Sequence, residues 1–313
     1  MRTILTKDPV EAAQFIRSGG IVAFPTETVY GLGADAFNET AIAHIFEAKL
    51  RPADNPLIAH ISDRSQIGLL VSEVPEYASK LIEAFFPGPL TLVMKKQSSV
   101  PLIATAGLDS VGVRMPGNVV ASEFLKACGR PAVAPSANLS GRPSPTTWEA
   151  VFEDLDGRID CILQGDATEI GIESTVVDCM GRQPVILRAG AVTTEQVESV
   201  VGDVAEVDSV DPSGPKSPGM RHRHYSPRAK VILVSPGVKI ENAGAFIGLH
   251  RPKDLGESAL VRICGSSERY AHEFFEFFRE CDRSSIDVIY CETVEETGIG
   301  AALMDRLRRA AEN

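Results

Sequence analysis

The sequence has no long apolar run, no paired cysteines and no surplus of positive charge, and each absence removes a class of protein. Nothing approaches the roughly 18 uninterrupted apolar residues that a membrane-spanning helix needs. Residues 1–9 hold no apolar core of the length a secretory signal requires. The six cysteines, Cys128, Cys161, Cys179, Cys264, Cys281 and Cys291, are scattered and form no Cys-x-x-Cys motif. They suit small core residues in a reducing cytoplasm rather than a disulfide or zinc framework. Lys and Arg number 31 against 42 Asp and Glu, for a net charge of −11. A chain this acidic does not coat nucleic acid through a broad basic surface. Arginines gathered in one cleft of such a chain would instead make a specific anion site.

What is present is a long α/β pattern with one break. A chain of 313 residues is long enough for two domains. Strand-like runs at 21–24, 57–61, 90–94, 111–115, 132–134, 161–163, 175–177 and 185–187 are interleaved with helical patterns. The helices are expected over 38–50, 77–86, 121–127 and up to 155, the last opened by a capping box at Thr146-Thr147-Trp148-Glu149. Around 204–229 periodicity stops and Pro, Gly and Ser crowd together, as in a linker. Beyond it, strands at 231–234, 260–263 and 287–290 alternate with a helix carrying Phe274, Phe275, Phe277 and Phe278. A last helix places Ile299, Ala302, Leu303, Leu307 and Ala310 on one face. The expected fold is α/β, with a large mixed twisted-sheet domain at 1–203, a linker at 204–229 and a small Rossmann-like α/β domain at 230–313.

The most informative stretch is Lys49-Leu50-Arg51-Pro52, followed by Asn55-Pro56-Leu57 and His60. Asn38 is placed to cap the preceding helix, and Pro52 disfavours helical backbone at Arg51. Lys49 then lies in the last turn and Arg51 in an extended exit. Cations there either complement the helix dipole or hold an anion together. Phe24 to Ala36 leaves a strand and contains Gly-x-Gly-x-x-Ala, but neither a dinucleotide fingerprint nor a Walker loop is completed. It reads as a glycine-rich turn presenting the hydroxyls of Thr26, Thr28 and Tyr30. Arg114, inside a strand pattern, is either solvent-facing or a buried ligand clamp. Ser136 and Asn138 leave a strand end, where turn chemistry and ligand binding both fit. His222-Arg223-His224-Tyr225 is a two-ligand metal candidate or a solvated basic turn.

The run Pro25-Thr26-Glu27-Thr28-Val29-Tyr30-Gly31-Leu32-Gly33, the Lys49-x-Arg51 pair with Asn55-Pro56-Leu57, Ser136-x-Asn138, and the 217–227 stretch together resemble the YrdC-like family in its long, two-domain form. The resemblance implies synthesis of L-threonylcarbamoyladenylate from L-threonine, bicarbonate and ATP, with Mg²⁺ accompanying the ATP and no metal held directly by protein side chains. It implies threonine or carbamate contacts at Thr28, His60, Arg114 and Ser174. Around ATP it implies Lys49, Arg51, Asn55, Ser110, Ser136, Asn138, Ser144, Arg188, His224 and Tyr225. Lys49, Arg51, Ser136 and Asn138 would be the catalytic set, and the linker would fold over the site as a lid. A separate partner would transfer the product to the tRNA adenosine beside the anticodon, with at most a weak tRNA contact on this chain and no membrane.

Carbamate, triphosphate and product are all anionic. Such a reaction therefore calls for fixed cations, and arginine forks suit phosphate and carboxylate. Two other readings stay open, an RNA-binding module and a carbamoyl-transfer domain using carbamoyl phosphate. A dinucleotide oxidoreductase fits least.

Overall fold

The computed structural model describes residues 2–205, 225–240, 243–254 and 258–312. The first unit begins β1 (Ile4–Thr6), α1 (Pro9–Arg17), β2 (Val22–Phe24), β3 (Gly31–Asp35), α2 (Glu39–Lys49) and β4 (Ile58–His60). It continues α3 (Ile67–Leu70), α4 (Glu76–Phe85), β5 (Leu90–Lys95), β6 (Ser110–Arg114), α5 (Val119–Cys128) and β7 (Ala132–Val133). It ends α6 (Trp148–Leu155), β8 (Cys161–Leu163), β9 (Thr175–Asp178), β10 (Val185–Arg188) and α7 (Thr194–Val201). The strands form one ten-stranded mixed sheet in the order β1-β8-β2-β3-β7-β4-β6-β5-β9-β10.

Strand alternation decides which helices cover which face. In β2, Val22 and Phe24 point to a cluster with Ala13 and Ile16 of α1 and with Phe124 and Leu125 of α5. Ala23, between them, points to the opposite cluster with Ile42, Ile45 and Phe46 of α2. With both faces covered, short strands such as β2, β4 and β9 are buried throughout. Among the described residues no helix is long and apolar enough to cross a membrane.

The second unit runs β11 (Lys230–Val234), β12 (Gly244–Gly248), β13 (Ser258–Ile263), α8 (Ser267–Arg283), β14 (Val288–Glu292) and α9 (Ile299–Ala311). Its four strands are all parallel, in the order β11-β14-β12-β13. The four phenylalanines of α8 are fully buried. Their cluster extends into the first unit, taking in Val29 and Ile172.

Two sequence expectations need correction, and several elements go beyond those expected. Gly31 and Gly33 belong to β3 rather than to a turn. A side chain at Gly33 would meet the Phe24 ring at 3.0 Å, so the glycines let that ring lie flat against the strand. The turn proper is confined to 25–30. The helix at 148 is capped by Thr147, whose side chain accepts from Ala150 N at 3.2 Å, so Thr146-x-x-Glu149 is not a capping box. A reciprocal box does occur at Thr193 and Gln196, opening a helix, α7, that the sequence pattern did not indicate. β1, α1 and β12 were likewise not anticipated, being short or weakly patterned.

Candidate active site

The helix stop at Pro52 forms as expected and aims the two cations differently. Asn38 caps α2 by accepting from Ala41 N at 3.1 Å, and Leu50 closes it in the left-handed region at φ 52°. Arg51 N then reaches back to Phe46 O at 2.9 Å, turning the Arg51 side chain out of the helix. A cleft opens there. Its walls carry Thr26 and Thr28 from the turn after β2, Arg51, His60 at the end of β4 and Arg114 at the end of β6. Ser136, Glu173, Ser174, Arg188 and Tyr225 complete them. The cleft thus collects three arginines against one glutamate in a chain of net charge −11.

Lys49 takes a different place. It is 1% exposed, and its Nζ donates to the carbonyls of Ser136 (2.6 Å) and Asn138. Burial, with Arg51 nearby, holds its ammonium well below the ordinary lysine range. Lys49 therefore braces the 136–138 loop from behind and does not reach the cleft wall. The loop is also pinned in front, with Ala137 N donating to Tyr30 O at 2.8 Å and Ser136 Oγ to Asn138 Oδ1 at 2.6 Å. The Asn138 amide nitrogen is occupied by Leu139 O and Arg142 O. Ser136 thus faces the cleft, and Asn138 orients it.

Arg114 is buried, which excludes the solvent-facing alternative. It is 4% exposed, donates to Thr28 Oγ1 at 2.8 Å and lies 2.7 Å from Glu27 Oε1. Ser174 Oγ sits 2.8 Å from Thr91 Oγ1 and accepts from Arg188 Nη2 at 3.1 Å, while Arg188 Nε donates to Ser174 O. Burial, together with the nearby Arg306 and Arg114 charges, lowers Arg188 below its usual value despite the opposing effect of Tyr225. Burial likewise brings Arg51 down to about 10, leaving it charged at neutral pH.

His60 packs edge-on to Phe24, with ring centroids 5.8 Å apart, and its Nδ1 lies 3.1 Å from Ile58 O. Burial, with Arg114 beside it, pulls its pKa to about 3, so it faces the cleft as a neutral ring. The unfolded chain takes up this proton near pH 6.5 and the folded chain does not until about pH 3. Stability should therefore fall as pH drops through that window, approaching about 1.4 kcal/mol per pH unit. Urea midpoints at pH 6.5 and pH 5 should drop more for the wild type than for His60→Gln. Equal drops would contradict a neutral His60.

Other expected residues lie off the cleft wall. Asn55 is buried behind Arg51, whose Nη2 donates to its carbonyl at 3.3 Å. Ser144 is buried and donates to Glu173 Oε1 at 2.6 Å. Ser110, at the opposite end of β6 from Arg114, lines a separate small pocket with Thr91 and Leu108. The Tyr30 hydroxyl turns away to Gly165 O at 3.0 Å. Tyr225 closes one side of the cleft, its ring 5.4 Å from that of Phe275. His222 and His224 lie outside the described residues.

Sequence reasoning missed Glu27, Glu173, Arg279 and Arg306, four charged residues that are buried. A signal for Arg306 existed: it falls between Ala302 and Ala310 at four-residue spacing, on the apolar stripe of α9.

Comparison with known proteins identifies the family. A profile of the Sua5/YciO/YrdC family, described as telomere recombination, matches residues 14–190. A second, for the threonylcarbamoyl-AMP synthase C-terminal domain, matches residues 192–312. The threonylcarbamoyl-AMP synthase of Pyrococcus abyssi is 45% identical over 96% of this chain and 93% of its own length. That of Bacillus subtilis is 41% identical over 98% of this chain and 94% of its own. The crystal structure of P. abyssi Sua5 complexed with L-threonine superposes with a TM-score of 0.90 at 41% identity, covering 99% of this chain and 98% of that one. The three-arginine cleft thus lies in a chain that belongs to the Sua5/YciO/YrdC family, in the form that carries the Sua5 C-terminal domain.

Proposed function

We propose that this chain is a threonylcarbamoyl-AMP synthase, condensing L-threonine, bicarbonate and ATP to threonylcarbamoyl-AMP and pyrophosphate. The observation that carries the reading is the convergence of Arg51, Arg114 and Arg188 on one hydroxyl-lined cleft. In the proposed reaction the threonine amine and bicarbonate form a carbamate with loss of water. A carbamate oxygen then attacks the α-phosphorus, and the bond to pyrophosphate breaks. The carbamate is already nucleophilic, so positioning and fixed positive charge supply the catalysis. Arg114 and Ser174, with Thr28 fixed by Arg114, would hold the threonine and carbamate end, beside a His60 too weakly basic to take their proton. Arg51, Ser136 and Arg188 would face the nucleotide, with Lys49, Asn55, Asn138 and Ser144 setting their positions.

Mg²⁺ would enter on the triphosphate and shield its charge. Among the described residues no three His, Cys, Asp or Glu side chains gather as a ligand set. The cleft's own carboxylate, Glu173, already accepts from Ser144 and Arg306. The activity is placed in the cytoplasm, with a separate partner passing the threonylcarbamoyl group to tRNA. Incubation with all three substrates should release pyrophosphate in an amount that requires both threonine and bicarbonate. Release that ignores either one would refute the assignment.

A further inference from the structure

The second unit reaches the cleft through one buried side chain. Arg306 on α9 is 0% exposed, although it lies more than a hundred residues from any cleft residue of the first unit. Its Nε donates to Glu173 Oε2 at 3.3 Å and its Nη1 to Ala189 O, next to Arg188, at 2.6 Å. Its guanidinium carbon stands 5.9 Å from the centre of the Tyr225 ring. One cation from the C-terminal unit thus touches three separate pieces of the wall. Glu173 is the only acidic group on that wall among the described residues.

A carboxylate facing a cleft that must admit phosphates repels them unless it is neutralised. The structure supplies that neutralisation. Arg306 lies against one oxygen of Glu173, and the other accepts from Ser144 Oγ at 2.6 Å. Glu173 also directly precedes Ser174, which Arg188 grips through both its backbone carbonyl and its hydroxyl. Resting on the synthase reading above, we propose that Arg306 is a positioning residue of the active site: it neutralises Glu173 and so fixes Ser144 and, through the Ala189 carbonyl, the neighbouring Arg188 for the nucleotide. The C-terminal unit is on this account an integral wall of the catalytic site. A second arginine supports the same division of labour. Arg279 of α8, 1% exposed, donates to both oxygens of Asp154 at 3.2 and 2.9 Å, and Asp154 Oδ2 accepts from Leu139 N in the Ser136 loop.

Removing Arg306 leaves the buried Glu173 carboxylate facing the cleft without its ion-pair partner. Polyanionic ATP should suffer from it far more than zwitterionic threonine. The test uses the full-length chain as wild type, Arg306→Met, Glu173→Gln and the double variant, with KM for ATP and for threonine read separately by pyrophosphate release. Arg306→Met should raise the ATP KM by about 10-fold or more and leave the threonine KM within about 3-fold. Adding Glu173→Gln should bring the ATP KM back to that of Glu173→Gln alone. If Arg306→Met does not fold, the double variant, which lacks both charges, decides the matter. Equality with Glu173→Gln supports the proposal, and a large further loss overturns it. An Arg306→Met enzyme with an unchanged ATP KM also overturns it. An inactive wild type would instead refute the synthase reading.

Discussion

Arg51→Ala should lower kcat/KM for ATP by about 10²- to 10³-fold, the cost of removing one preorganised charge from a transition state that develops phosphate charge. The side chain stands in the cleft wall with Nη2 on Asn55 O and with its buried Nε lacking a hydrogen-bond partner among the described residues. Because its backbone is held by Phe46 O and Pro52, truncating the side chain should leave the melting temperature close to wild type. Arg51→Lys should recover little, since an ammonium cannot reproduce the planar fork. Steady-state pyrophosphate release at saturating threonine and bicarbonate measures the effect. A loss below tenfold would remove Arg51 from the catalytic set.

Arg114→Ala should damage binding and folding together, and the two can be separated. Arg114 and Glu27 are 5% and 7% exposed at the side chain and 2.7 Å apart. Neither Glu27 oxygen has a hydrogen-bond partner among the described residues. Deleting the arginine alone strands a buried carboxylate, for which about 3–5 kcal/mol of destabilisation is expected. Replacing both, as Arg114→Met with Glu27→Gln, should return most of that stability while threonine binding stays lost. Urea midpoints and calorimetric titration with L-threonine read the two quantities independently. If the double variant binds threonine normally, Arg114 is a structural ion pair and nothing more.

Local chemistry made part of this molecule legible in advance. The Asn38 cap, the helix stop before Pro52 and the two-residue alternation of β2 each depend on neighbours a few positions away. Arg114 could not be resolved that way, because its partners Glu27 and Thr28 lie more than 80 residues earlier and meet it only across the sheet. Lys49 shows the opposite limit. Its position in the last turn of α2 was foreseen, yet its ammonium is used on two backbone carbonyls about 90 residues onward. Gly31 and Gly33 misled because glycine marks turns more often than strands, and here the Phe24 ring on the paired strand selected them. Arg279 and Arg306 sit on helix stripes whose solvent side is filled with other charges, so only their spacing relative to buried alanines and phenylalanines set them apart.

All six cysteines are free and buried, three in each unit. Burial pushes the thiols of Cys128, Cys161, Cys179, Cys264 and Cys281 up to about 12, and raises that of Cys291 as well. Thiolate, the form that alkylating reagents attack, is therefore almost absent from the native molecule at neutral pH. Every adduct found by mass spectrometry then records an opening event, and its location tells which half of the protein came apart first.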